Sequence, residues 1–284
     1  MTILLEQLIN GITFAALLFL VSSGFTLIFG LMRIANLAHG AFYLIGGYIG
    51  YSVGLQTGNF LLAIIVAALV VGLLGLLIER VILRLVRNQS LPEVLITVGI
   101  SFILADLSLI IWGGTPLSVP VPLFLQGSVQ IGSITYPRLR LFVFVVGVLV
   151  AILLWLFTER TRVGAIVRAG VDDAEMVDGL GINIKVVFSG VFFLGAMLAG
   201  IGGVTGGAFL SLYPGADSEI LLYGLVVVII GGLGSLPGAI MGSLLIGIID
   251  TFGRSYFPDL SYFTIFGPMV IMLALRPQGL FGRR

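Results

Sequence analysis

The sequence predicts an all-α polytopic membrane protein of about eight to nine transmembrane segments, N-terminus out and C-terminus in, and three observations predict it. Its 284 residues are 59% hydrophobic and only 10% charged, with a mean hydropathy of +1.21, whereas soluble domains carry about a quarter charged residues. Apolar runs of near-spanning length follow one another with short polar breaks. Basic residues collect in alternate breaks, as the positive-inside rule requires.

The runs, in order, are Leu8 to Leu31, Leu37 to Leu55, Phe60 to Glu79, Leu91 to Trp112, Leu141 to Phe157, Val186 to Leu210, Ile220 to Gly234, Pro237 to Phe252 and Ser261 to Leu275. The first is preceded by Glu6 and by no Lys or Arg, is longer than a signal-peptide core and lacks a small-residue cleavage site, so it reads as a retained span. The fourth carries Asp106, with no basic residue three or four positions away. The sixth repeats small residues at Gly195, Ala199, Gly203 and Gly207, the spacing of close helix packing. The seventh and eighth are short and joined by GGLGSLPGA, which reads as a broken or re-entrant pair near 220–252. Asp250 and Arg254, four residues apart near a span end, read as a local ion pair.

Nine crossings place Arg33, Arg80, Arg84, Arg87, Arg160, Arg162, Arg168, Lys185, Arg276, Arg283 and Arg284 inside, eleven of the fourteen basic residues. Arg138, Arg140 and Arg254 fall outside. If 220–252 crossed only once, the C-terminal arginines would move outside and the bias would weaken. The loop from Gly113 to Arg140, with Pro116, Pro120, Pro122 and Pro137, reads as an external cover, extended or hairpin. No extramembrane domain is left room, so residues 1–284 form one transmembrane domain.

The most charged stretch runs from Glu159 to Val186, with four basic and five acidic residues. A 3.6-residue period puts Val167, Val171, Ala174 and Val177 on one face, with Arg168, Asp172, Glu175 and Asp178 on the flanks or opposite. Arg168 and Asp172 form an i, i+4 pair, and Gly179 and Gly181 are helix stops. This is a short amphipathic helix on the cytoplasmic side. It either joins two spans along the membrane surface or docks an aliphatic stripe with acidic flanks into a protein groove.

Several chemistries are excluded. A net charge of +1 gives no basic surface for nucleic acid. The absence of cysteine removes disulfides, thiolate zinc sites and thiol catalysis, and a single histidine does not make a metal site. No Gly-x4-Gly-Lys-Ser/Thr loop exists, since the one lysine, Lys185, follows Asn183 and Ile184. The chain binds no cofactor, and any ATP that drives it acts on another polypeptide.

The one histidine, His39, lies in NLAHGAFYLIGGY beside Asn36 and Gly40. Glycines let backbones approach or a helix break, and freed backbone groups need polar partners, which Asn36 and His39 supply. Alternatively Asn36, His39 and Gly40, with Asp106, line a translocation route.

RAGVDDAEMVDGLGIN resembles the coupling segment of bacterial ABC importer permeases, whose loose signature is Glu-Ala-Ala, three residues, then Gly. Asp173, Ala174, Glu175 and Gly179 take those positions, with Asp for the first residue and Glu for the third. NLAHGAFYLIGGY, ERVILRLVR, GLGIN, GGLGSLPGAIMGSLLIG and LRPQGLFG resemble, in order and spacing, the permeases of branched-chain amino acid ABC importers, most of all the shorter of the two permease subunits. The resemblance covers nearly the whole chain. It implies a coupling segment over about 159–185, with contacts to the ATPase from Arg168, Asp172, Asp173, Ala174, Glu175, Gly179, Gly181 and Asn183. It implies as partners two ATP-binding subunits, a second related permease in a heterodimer and an extracytoplasmic substrate-binding protein. It implies the bacterial inner membrane as location and a branched-chain or other hydrophobic amino acid as cargo. The rival reading is a self-sufficient secondary transporter or channel for small polar solutes such as urea or amides, in which Asp106 and His39 relay protons or ions.

Overall fold

The computed structural model describes residues 2–32, 36–86, 89–132 and 134–282, with Thr2, Leu31, Met32, Ile131, Val171, Asp172, Ala174 and Ser261 described at the backbone only. Arg33, Arg87, Arg283 and Arg284, assigned to the inner side from sequence, lie outside the described residues.

Helix α1 (Thr2–Met32) is followed by α2 (His39–Thr57), α3 (Phe60–Val81), α4 (Ser90–Trp112) and a hairpin of β1 (Ser128–Ile131) and β2 (Ile134–Pro137). Then come α5 (Arg138–Arg160), α6 (Arg162–Asp172), α7 (Ala174–Gly179), α8 (Ile184–Phe209), α9 (Ala216–Gly231), α10 (Leu236–Tyr256) and α11 (Ser261–Leu275). Six of these helices, α1, α3, α4, α5, α8 and α10, are long and apolar enough to cross a membrane. The fold is therefore an all-α polytopic membrane protein. The outer faces of α3, α4 and α5 expose Leu73, Leu77, Phe102, Ile110 and Leu153, a surface suited to lipid.

α1 and α8 form the centre, and glycine is what lets their neighbours close on them. A Cβ on Gly24 of α1 would strike the Gly195 carbonyl of α8, and one on Gly203 of α8 would strike the Tyr43 carbonyl of α2. The small-residue stripe of α8 thus seats two different helices. Without a hydrophobic effect between helices in lipid, such close contact is the main source of association.

α9 differs from its neighbours in length. Its 16 residues reach about 24 Å at 1.5 Å per residue, short of a hydrocarbon core of about 30 Å. α10, expected to be short too, has 21 residues. The two form an antiparallel pair in which a Cβ on Gly242 would strike the Val227 carbonyl. The C-terminal segment caps α9, with Leu280 and Phe281 donating backbone N–H groups to the Ile230 and Gly231 carbonyls at 2.8 and 2.9 Å.

The loop after α4 folds over one end of the bundle, as its prolines suggested. Leu117 and Leu212 exchange backbone hydrogen bonds at 2.8 and 2.6 Å, and the Tyr136 hydroxyl of the hairpin lies 2.7 Å from Thr13 Oγ1 on α1.

Candidate functional site: a cavity, a polar cluster and an acidic segment

The charged segment holds two helices where the sequence suggested one. Asp173 breaks the helix and caps the next, its Oδ1 accepting from the Met176 N–H at 2.9 Å. Asp, whose short side chain reaches the free N–H groups of a first turn, is a favoured residue for that role. Gly181 takes a left-handed φ of 82°, after which Asn183 caps α8, accepting from the Lys185 N–H at 3.2 Å. Arg168 reaches back to Glu159, 3.1 Å away, and donates to the Thr158 carbonyl. The Asp172 side chain, its expected partner, is outside the description, as are the side chains of Val171 and Ala174.

The two stripe residues whose side chains are described face the bundle. Val167 and Val177 are buried against Leu20, Leu154, Ile184 and Phe188. What the segment offers outward is Asp173, Glu175, Asp178, Gly179, Gly181 and Asn183, with Met176 60% and Leu180 70% exposed. Of the two readings left open by the sequence, a helix joining two spans or a stripe docked in a protein groove, the buried Val167 and Val177 place the apolar side against the bundle itself.

Asn36, His39 and Gly40 come together where α2 starts, and α2 starts deep in the bundle. His39 donates from Nε2 to the Val21 carbonyl of α1 at 2.9 Å, because a carbonyl only accepts. A Cβ on Gly24 would meet both His39 and Gly195, and Gly195 is the twelfth of the 26 residues of α8. Asn36 accepts from the Ala38 N–H at 3.2 Å. Four buried polar atoms here have no partner among the described residues: Ser22 Oγ, Thr26 Oγ1, Asn36 Nδ2 and His39 Nδ1. A Cβ on Gly40 would strike the Asp217 carbonyl, so the first turns of α2 and α9 touch.

Above this cluster lies a cavity of about 550 Å³, lined by α1, α2, α9, α10, the start of α5 and the end of α8. Tyr43 and Ile220, both lining it, pack with Val21, whose carbonyl accepts from His39. Arg254 Nε lies 2.9 Å from Asp250 Oδ2 and 3.1 Å from Oδ1, which is the ion pair read from sequence. Tyr223 donates to Asp250 at 3.2 Å and is itself contacted by Arg254. Tyr213 donates to Glu219, and that bond holds its phenol up, to about 12. Arg140 donates to Asn10 and lies over the Phe209 ring, 5.0 Å from its centroid.

Tyr213 and Glu219 escaped the sequence reading because the seventh span was begun at Ile220, and the site role of Tyr223 and Arg140 escaped it because their partners Asp250 and Asn10 lie on other helices. The signal was present: Gly215 followed by Asp217 and Glu219 is a helix start with acids in its first turn. Asp106, in contrast, belongs to neither place. It is exposed on the outward face of α4, near the exposed Phe102, Ile103 and Ile110.

The cavity and the acidic segment lie at opposite ends of α8, whose 26 residues span about 39 Å. A compartment thus lies at one end of α8 and an exposed acidic surface at the other.

The chain matches the family described as branched-chain amino acid transport system / permease component over residues 7–273. It is 31% identical over 295 aligned residues to the high-affinity branched-chain amino acid transport system permease protein BraD of Pseudomonas aeruginosa, covering 98% of this chain and 96% of that relative. It is 29% identical to the permease protein LivH of Escherichia coli strain K12, with the same coverage. A probable branched-chain amino acid transport permease of Methanocaldococcus jannaschii is 23% identical over 96% of this chain. No solved structure matches.

Proposed function

The chain belongs to the branched-chain amino acid transport permease family, and from that premise we propose that it is the transmembrane permease subunit of a binding-protein-dependent ABC importer. The cargo is a branched-chain or other hydrophobic amino acid. The observation that carries the reading is the match along nearly the whole chain to permeases named for that transport. The cavity at one end of α8 and the acidic surface at the other support it.

In this reading the chain is one domain over residues 1–284, crosses the inner membrane eight or nine times with its C-terminus inside, and has no ATPase site or cofactor of its own. Two ATP-binding subunits hold ATP and dock on the segment over about 159–185 through Arg168, Asp172, Asp173, Ala174, Glu175, Gly179, Gly181 and Asn183. A second, related permease completes the membrane portion, and an extracytoplasmic binding protein delivers cargo to the cavity end. Asn36, His39 and Gly40 form the middle of the route. Asp106, out on α4, has a part in it only if the assembled complex encloses that face.

The mechanism is alternating access. Since this chain carries no fuel site, each state change draws on the difference in partner affinity between the two states. Movement of the acidic segment is passed directly to α8, because Asn183 joins them and Val177 packs on Phe188. The Tyr43 and Ile220 layer then separates the cavity from the His39 level or admits passage between them.

The test is purification of the tagged chain from native membranes with its stoichiometric partners, followed by uptake in proteoliposomes. ATP-binding subunits, a second permease and ATP-dependent uptake of leucine are the expected result. Recovery of the chain alone, with uptake independent of ATP, would overturn it in favour of a solitary carrier.

A further inference from the structure

The cavity between α1, α9 and α10 carries four charged side chains, Arg140, Glu219, Asp250 and Arg254, two of each sign. Asp250 and Arg254 are committed to each other through paired hydrogen bonds, closed by Tyr223. Arg140 is not so committed. Its contacts are the Asn10 side chain and the Phe209 ring, and among the described residues no carboxylate pairs with it, so several of the five donors of a guanidinium remain available. Glu219 keeps acceptor capacity as well: Tyr213 occupies one oxygen, and Arg254 stands 3.8 Å from the other, beyond hydrogen-bond distance. Glu219 is thus in ion-pair range of Arg254, whose nitrogens are already bonded to Asp250 and Tyr223, and the same cavity wall carries the apolar Phe14 and Ile220. The volume of about 550 Å³ lies inside the roughly 300–1,000 Å³ range of small-molecule sites.

Resting on the permease reading above, we infer that this cavity is a binding site within the permease for a zwitterionic aliphatic amino acid, its carboxylate on Arg140, its ammonium on Glu219 and its side chain against Phe14 and Ile220. A solute with net charge leaves one wall unmatched, and a neutral amide or urea can hydrogen-bond to each ion but pairs with neither charge. A zwitterion answers both, so the site selects by charge pattern after the binding protein has selected by shape. A charge-assisted hydrogen bond is roughly twice as strong as a neutral one. Removing either ion therefore weakens binding by about 10-fold or more.

The experiment uses the whole complex in nanodiscs, without the binding protein, and follows tritiated leucine by scintillation proximity. Saturable binding is expected, displaced by unlabelled leucine but not by leucinamide, which lacks the carboxylate, or by 4-methyl-2-oxopentanoate, which lacks the ammonium. Arg140→Gln and Glu219→Gln should each lose about 10-fold in affinity while the complex still assembles, as judged by size-exclusion chromatography, and Arg140→Lys should recover part of the loss. A complex that imports leucine yet binds none without the binding protein overturns the site, as does unchanged affinity in both variants or equal displacement by the two analogues. A complex that imports no aliphatic amino acid at all overturns the permease reading, and the site with it. A variant that fails to assemble is replaced by Phe14→Trp, which fills the cavity: unchanged leucine affinity there overturns the site.

Discussion

Ser189 of α8 donates its hydroxyl to the buried carboxylate of Glu79 on α3 across 2.5 Å. Ser189 stands six residues after Asn183, the cap that ends the acidic segment, so this bond ties α3 to the stretch of α8 that a docked partner would move first. Ser189→Ala removes the donor and leaves a buried oxygen less satisfied, at a cost of about 1–2 kcal/mol. The expected outcome is a lower melting temperature in detergent with insertion unchanged. A melting curve that overlays the unsubstituted protein would show that the bond contributes nothing measurable.

Gly203 permits the closest contact between α2 and α8, with the Tyr43 carbonyl where a Cβ would stand. Neither backbone can yield without separating the helices along their length, so Gly203→Ala should cost about 3 kcal/mol or more, at or above the usual range for overpacking. Gly99 and Gly190 have open space, and alanine there should be tolerated. Fluorescence-detected size-exclusion chromatography after heating compares the three, and equal stability would place the α2–α8 contact elsewhere.

His39 has a structural duty and a pathway candidacy that one substitution separates. Its Nε2 bond to Val21 is reproduced in kind by a glutamine amide, so His39→Gln should stay within about 1 kcal/mol of the starting stability. If uptake also stays normal, the residue is a structural anchor. Loss of uptake with stability retained assigns the imidazole to the route.

Much of this architecture is legible in the sequence because lipid imposes few choices: apolar length marks the long helices, and the small residues of α8 mark its packing faces. The glycines after His39 were legible as points of close approach, though α2 runs unbroken through them. What the sequence concealed is tertiary. The partner of Val177 is a surface assembled from α1, α5 and α8, and no local pattern names it. Likewise Arg140 and Glu219 are 79 positions apart and share a cavity only after α5 and α9 have packed. Glu79, read as the end of a span, is buried because Ser189 on another helix meets it.

Tyr213 lies between α8 and α9, and its bond to Glu219 raises its phenol to about 12. A folded value above the ordinary one near 10 means the protonated form is favoured by folding. That stability is present in full below about pH 10 and is lost as pH rises through about 12. Across pH 6 to 9 the phenol therefore stays a donor, and Tyr213→Phe should not change the pH profile of uptake. In an ultraviolet titration of the folded protein, the difference between the unsubstituted protein and Tyr213→Phe should show a tyrosinate appearing near pH 12. A difference appearing near pH 10 would mean that Glu219 does not hold the hydroxyl.

Asp173 combines two roles in the acidic segment, and its chemistry allows them to be tested apart. As the cap of α7 it accepts from the Met176 N–H. As an exposed carboxylate beside Glu175 it contributes charge to the proposed docking face. Asparagine caps a helix about as well as aspartate, so Asp173→Asn keeps α7 and removes one charge, while Asp173→Ala keeps the charge loss and adds the loss of the cap, about 1 kcal/mol. If charge draws the ATP-binding subunits, Asp173→Asn together with Glu175→Gln should weaken their association several-fold, more at low salt than at high, since screening already suppresses the attraction at high salt. If geometry matters more, Asp173→Ala alone should uncouple ATP hydrolysis from uptake while Asp173→Asn does not. Measuring association and coupling on the three variants at two salt concentrations separates these outcomes. Wild-type behaviour in all of them would remove this segment from the ATPase interface.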